Sequence, residues 1–283
     1  MCYLNGSYVS EAEGKLPITD LGLLRGYGIF DYLRTYKGIP FHLWDHLLRL
    51  KYSAEQIGLE LSHSLEEIET IILTLLKKNH YPESSIKILF TGGVSTDQLM
   101  PDGKATLAIL VYPFTPFPQE CYARGLRTIT TPLSRSISYA KTTHYIPAII
   151  ALHQARQADV QDALYLNPQR EILEATTSNF FAFKEGTLLT SDSPDIMHGI
   201  TREVILKLSP FPVEIRPIAY TELLSLEEIF LSSSNLEIMP VSEIDGIRFK
   251  LGPQTRKLMD SFRNYTMGSH WDLLKIQRYS TLV

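Results

Sequence analysis

The sequence predicts an α+β fold in two domains, a smaller N-terminal one and a larger C-terminal one, and three observations carry that prediction. Short apolar, β-branched runs are interleaved with helical stripes, a proline cluster interrupts the chain near residue 115, and no internal repeat or low-complexity tract is present. With 283 residues, 44% hydrophobic and 20% charged, the chain can bury one large core or two moderate ones, which argues against disorder.

The first domain opens with Tyr3-Leu4-Asn5-Gly6-Ser7-Tyr8-Val9, where Asn5-Gly6 is a strong hairpin signal. Two helices follow: Trp44, Leu47, Leu48, Leu50, Ala54 and Ile57 recur at helical spacing, as do Leu65, Ile68, Ile71, Ile72, Leu75 and Leu76. Residues 86–90 and 106–111 read as strands, bounded by Gly92-Gly93 and Pro113. Pro113-Phe114-Thr115-Pro116-Phe117-Pro118 disfavours both a helix and an interior strand. The expected division is therefore an N-terminal domain over 1–112, a linker over 113–120 and a C-terminal domain over 121–283. In the last, strands at 162–167 and 179–183 alternate with helical patterns at 146–158 and 201–208.

Composition removes several function classes. A net charge of −4 with no basic run argues against nucleic acid as a partner. Cys2 and Cys121 are far apart and form no CxxC, so neither a disulfide framework nor a zinc site is expected. No leader-like start and no membrane-length apolar stretch is seen, and the expectation is a cytoplasmic protein without membrane contact. His42 and His46 stand at i, i+4 but lack a neighbouring glutamate base and a third ligand, so no metal is expected. Gly26-Tyr27-Gly28 lacks the third glycine and the βαβ frame of a dinucleotide fingerprint and reads as a turn.

The segment that carries chemistry runs from Ala140 to Arg202. Lys141 follows a predicted strand and precedes a helix opened by Pro147, a residue favoured at the first helical position. Alone, it reads as a solvated surface lysine. Downstream come Glu174-Ala175-Thr176-Thr177-Ser178-Asn179-Phe180-Phe181, then Leu188-Leu189-Thr190, then Met197-His198-Gly199-Ile200-Thr201-Arg202.

Together these resemble the signature of the class IV aminotransferases across its whole length. Phe41 to Leu50 resembles that family's helix ending in a phosphate-binding arginine, here Arg49, and Gly28-Ile29-Phe30-Asp31 resembles its active-site wall. The resemblance reaches to about Phe262 and leaves 264–283 without an assigned role. It implies fold-type IV, pyridoxal 5'-phosphate as cofactor and a homodimer. Lys141 would carry the cofactor as a Schiff base and shuttle the substrate proton, and the Glu174 carboxylate would pair with the pyridine nitrogen. Arg49, Ser234, the Thr201 hydroxyl and the N–H groups of Ile200 and Thr201 would hold the phosphate, as helix starts suit anions. Tyr145 would bond the phenolate oxygen and Met197 would flank the ring. Thr177, Ser178, Asn179, Gly199 and Ser233 are implied as further cofactor contacts, and Arg25, Phe30, Lys87 and Asn235 as substrate contacts.

Within that family the resemblance admits D-amino-acid transaminases, branched-chain L-amino-acid transaminases and 4-amino-4-deoxychorismate lyase. The Arg-x-His of the familiar D-alanine enzymes is replaced here by Asp97-Gln98-Leu99, and the Tyr-x-Arg of branched-chain enzymes by Ser85-Ile86-Lys87. Arg25 and Lys87 remain as cations for a substrate carboxylate. The expectation is a transaminase of small D-amino acids and 2-oxo acids, with the lyase and the branched-chain enzyme as alternatives.

Overall fold

Alternating burial along each strand builds the first sheet, because successive side chains in a strand face opposite ways. The computed structural model describes residues 1–268 and Trp271. The chain divides into two compact units, the first comprising Met1–Thr115, Tyr139–His144 and Trp271, the second Pro116–Ser138 and Tyr145–Gly268.

In the first unit the order is β1 (Cys2–Leu4), β2 (Ser7–Val9), α1 (Leu21–Arg25), β3 (Gly28–Tyr36), β4 (Ile39–Pro40), α2 (Leu43–Gln56), α3 (Leu65–Asn79), β5 (Ser84–Thr91) and β6 (Thr106–Pro113). The strands form one antiparallel sheet in the order β2-β1-β6-β5-β3-β4. Ile29 and Leu33 of β3, Ile86, Ile88 and Phe90 of β5 and Ile109 of β6 are fully buried against Leu47 and Leu50 of α2 and Ile68, Ile72 and Leu75 of α3. Helix α3 begins at a capping box made by Ser64 and Glu67, which satisfies donors at its first turn. The opposite face of the sheet carries the other parity: Phe30 and Tyr32 of β3, with Ser85 and Lys87 of β5. Tyr32 stands directly across from Lys87. Trp271 packs edge-on against Tyr36 and Phe41.

The second unit contains α4 (Gln119–Arg124), β7 (Leu126–Thr131), α5 (Ile146–Gln157), β8 (Asp162–Leu166), β9 (Ile172–Ala175), β10 (Asn179–Lys184), β11 (Thr187–Thr190), α6 (Ile200–Leu208), β12 (Val213–Ile215), a 3-10 turn at Tyr220–Ser225, β13 (Glu228–Ser233), β14 (Glu237–Ile244), β15 (Ile247–Arg248) and α7 (Pro253–Thr266). Its nine-stranded sheet runs β12-β11-β10-β13-β14-β7-β8-β9 with β15 on β14. It also bends round so that β9 pairs with β10 through Glu174 and Asn179. That single pair closes the path into a ring, filled by Leu164, Phe180, Leu231, Met239 and Val241.

Three expectations are corrected here. No strand precedes Lys141, since β7 ends at Thr131 and the chain is irregular from there to α5. The segment around Lys141 borrows the start of β3 instead, through an antiparallel bridge between Ile29 and Thr142. Pro147 is the second residue of α5 rather than its first. Tyr139–His144, assigned to the C-terminal domain by a single cut, clusters with the first unit because its hydrogen bonds go there. Of the stretch from 264 onward, residues 269, 270 and 272–283 lie outside the described residues. Among the described residues no helix is long and apolar enough to cross a membrane.

Leu47 is fully buried in the first core. Leu47→Ala is expected to cost about 2–5 kcal/mol, read as a lower urea midpoint at unchanged m; a loss below about 1 kcal/mol would show that α2 does not pack as described.

Candidate active site

Lys141 is held by backbone contacts before its side chain does anything. Its N–H donates to Ser53 Oγ on α2 at 3.1 Å, and its carbonyl accepts from the Phe30 N–H at 2.9 Å. Two residues on, the Thr143 N–H donates to the Gly28 carbonyl at 2.9 Å. Gly28 is required for this approach, because a Cβ there would meet the Phe90 carbonyl at 2.8 Å and Thr143 Oγ1 at 3.2 Å. The half-buried ammonium of Lys141 stands 4.6 Å from the centre of the Phe30 ring. The Lys87 ammonium stands 5.3 Å from the same centre, so one ring carries both cations. Lys87 has no ion pair among the described residues. Arg25 is exposed at the end of α1 and donates to the neighbouring Leu24 carbonyl at 3.1 Å.

Arg49 does not lie on a solvated helix face. It is buried on α2 and grips Asp31 of β3 with both prongs, Nε to Oδ2 at 2.9 Å and Nη2 to Oδ1 at 2.8 Å. His46 Nδ1 donates to the same Oδ1 at 2.7 Å, and the Tyr32 N–H does so at 2.7 Å. Burial would push the Asp31 carboxyl up, but Arg49 and then His46 outweigh it and hold it well below the usual carboxylate range. Burial in turn pushes His46 down, against the pull of Asp31. His42 bonds a different carboxylate, Asp45, at 2.7 Å. The two histidines thus do not converge.

In the second unit the ring closure assembles the motif. Glu174, 1% exposed, receives the Asn179 Nδ2 donor and the Met197 N–H on Oε2, each at 3.1 Å. Asn179 Nδ2 also donates to the Met197 carbonyl at 2.6 Å. Arg135 Nε lies 3.0 Å from Glu174 Oε1, an ion pair whose N–H is not aligned on the oxygen. Gly199 is the N-cap of α6, and a Cβ there would collide with Asn179 Oδ1. It offers no capping side chain, and among the described residues the buried N–H groups of Ile200 and Thr201 have no acceptor. Ser178 Oγ is buried without a partner, while Thr177 is exposed in the β9–β10 turn. Ser233 Oγ accepts from the Leu236 N–H at 3.2 Å in the β13–β14 turn, which also carries half-buried Ser234 and Asn235. Tyr145, half-buried, precedes α5.

Residues 28–244 match the family Amino-transferase class IV. The chain belongs to the class IV aminotransferases. It is 33% identical to a protein of Methanocaldococcus jannaschii provisionally named a branched-chain-amino-acid aminotransferase, over 93% of this chain and 95% of that one. It is 30% identical to a D-alanine aminotransferase of Staphylococcus epidermidis, over 93% and 96%. The structure superposes with a TM-score of 0.87 on the branched-chain aminotransferase of Thermoproteus uzoniensis with norvaline, at 28% identity and 96% coverage of both chains.

Class IV aminotransferases use pyridoxal 5'-phosphate and adopt the fold-type IV architecture seen here. The second unit suits that group on its own terms: a buried carboxylate with Arg135 beside it, unsatisfied N–H donors at the start of a nine-residue helix, and the unpartnered Ser178 hydroxyl. Sequence reasoning missed Arg135, which lies outside every motif, and the Asp31–His46 pair behind Arg49. The i, i+3 spacing of His46 and Arg49 was the available signal for the latter.

The sign of the pH dependence follows from two depressed groups. Below about pH 6.5 the unfolded chain protonates His46 while the folded one does not, and below about pH 3.9 it protonates Asp31 likewise, so both contributions are lost as pH falls. His46→Gln, which can still donate to Asp31, is expected to flatten the fall in urea midpoint between about pH 6.5 and 5. An unchanged slope there would remove His46 from the account.

Proposed function

We propose that this class IV aminotransferase moves an amino group between a small D-amino acid and a 2-oxo acid, with Lys141 as the catalytic amine and Lys87 as the partner of the substrate carboxylate. The observation that carries the reading is the shared ring: two ammonium groups stand over Phe30, one on a segment fixed by three backbone hydrogen bonds, the other without an ion pair among the described residues. A half-buried cation beside a reactive amine favours an anionic substrate. Tyr32, across from Lys87, donates its hydroxyl to Ser85 Oγ at 3.1 Å, so the same face also presents polar groups.

Bound pyridoxal 5'-phosphate supplies the electron sink that makes the Cα proton removable. The residues of this chain do the rest. Lys141 would hold and move the substrate Cα proton, Glu174 would present its carboxylate to the ring nitrogen, and Tyr145 would bond the phenolate oxygen. By the family resemblance, the N–H groups of Ile200 and Thr201, the Thr201 hydroxyl and Arg49 would hold the phosphate, with Ser178, Ser233 and Ser234 as further donors, and Met197 would flank the ring. Asp31 and His46 keep the Arg49 guanidinium in one orientation. The broken Tyr-x-Arg pattern at Ser85-Ile86-Lys87 and the staphylococcal relative support the D-amino-acid preference. The M. jannaschii relative supports a branched-chain L-amino-acid substrate as the second reading. Ile146, Ile149 and Ile150 form an exposed apolar stripe on α5, which supports a homodimer.

The deciding experiment mixes holoenzyme with D-alanine, L-leucine or 4-amino-4-deoxychorismate and follows the visible band of the cofactor. Bleaching by D-alanine with release of a 2-oxo acid is the expected result; bleaching by L-leucine alone installs the second reading, and pyruvate release with the band restored installs the lyase. Lys87→Ala is expected to raise KM for the amino donor by about tenfold or more with cofactor retention unchanged, and Arg25→Ala to do so far less. Equal loss of substrate and cofactor binding in the Lys87 variant would overturn its role.

A further inference from the structure

Arg135 sits in the irregular stretch after β7, its side chain 13% exposed, and faces three oxygen-bearing side chains. Its Nε is 3.0 Å from Glu174 Oε1, its Nη2 reaches the Thr176 carbonyl at 3.5 Å, and its Cζ lies 5.8 Å from the centre of the Tyr145 ring. The Tyr165 hydroxyl, buried and unpartnered, lies in the same field. The two oxygens of Glu174 are thus handled differently. Oε2 is located by neutral donors from Asn179 and Met197, whereas Oε1 faces a permanent positive charge.

Burial favours the protonated form of a carboxylate, and a cation beside it opposes that. Arginine is suited to that duty because it does not itself deprotonate. We infer that Arg135 is a positioning residue that keeps Glu174 ionised and sets the charge felt at Tyr145, so that one guanidinium governs the proton affinity of both ends of a ring bound between them. The inference rests on the cofactor reading above. Among the described residues, Arg135, Tyr145, Tyr165 and Asp162 are the titratable and charged groups that share this cluster with Glu174. Burial pushes Tyr165 up to about 12, so this phenol carries no charge near neutral pH, and burial also raises Asp162. Burial opposes the charge on Arg135, and Glu174, then Tyr145 and Tyr165, hold it above its usual range.

Two readouts test this on the full chain. In the apoprotein at neutral pH, infrared difference spectra of Arg135→Gln are expected to show the carbonyl stretch of a protonated acid that is absent in the wild type and disappears in Arg135→Gln/Glu174→Gln. In the holoenzyme, loss of a nearby cation favours the protonated form of the chromophore, so the pH titration of the visible band is expected to move up by about one unit in Arg135→Gln. Arg135→Lys, which keeps the charge without the planar fork, is expected to titrate with the wild type, while kcat in Arg135→Gln falls about tenfold with KM little changed. A Glu174 that stays ionised in Arg135→Gln, or an unmoved titration, overturns the proposal. Should Arg135→Gln fail to fold, Arg135→Lys carries the test, and a displaced titration in that variant overturns it. A wild type that binds no pyridoxal 5'-phosphate would sink the cofactor reading instead, with the apoprotein spectra still deciding the role of Arg135.

Discussion

Burying a carboxylate beside a cation, away from water, is the constraint on which the rest of the site depends. Glu174 on β9 and Asp31 on β3 are both buried, and each has an arginine beside it. Buried ion pairs are weak contributors to stability, since desolvation offsets most of the attraction, and an apolar replacement often serves a fold as well. Their presence therefore points to use rather than to architecture. In each case neutral donors fix the geometry as well: the Tyr32 N–H and His46 for Asp31, Asn179 and the Met197 N–H for Glu174.

The closure of the second sheet is the device that makes Glu174 possible. Asn179 is the register partner of Glu174 and also bonds its side chain, so the pair that turns the sheet into a ring is the pair that aims the carboxylate. The same asparagine holds the Met197 carbonyl and comes so close to Gly199 that no Cβ fits. Strand pairing, carboxylate and helix start are consequently one assembly. A change in the register of β9 against β10 would disturb all three at once.

Much of this was legible in the sequence because it is local. The alternation in β5, the stripes of α2 and α3, and the correlated spacing of Glu174, Asn179 and Gly199 are properties of neighbouring residues, and the strands and helices read from them appear within a residue or two of their expected ends. What was illegible depends on distant partners. Lys141 has no strand of its own before it, because its backbone is satisfied by Phe30 of β3 and Ser53 of α2, both far earlier in the chain. The ion pair of Arg49 with Asp31 could not be read because nothing in α2 announces that Asp31 faces it, and Arg135 stands in a loop whose neighbours in sequence say nothing of Glu174.

On the proposed reading, in which Lys87 meets the substrate carboxylate, a lysine there has a consequence that an arginine would not. An arginine offers a planar fork that fixes a carboxylate in two dimensions, whereas an ammonium is a compact point charge that attracts without orienting. Over the Phe30 ring that charge is located to one side of Lys141 but leaves the carboxylate free to turn. Orientation must then come from directional donors on the same face, and the Tyr32–Ser85 hydroxyl pair is placed to give it: with Tyr32 donating to Ser85 Oγ, the serine keeps its own proton for an acceptor. Charge and direction would thereby be divided between Lys87 and Ser85, two residues apart on one face of β5.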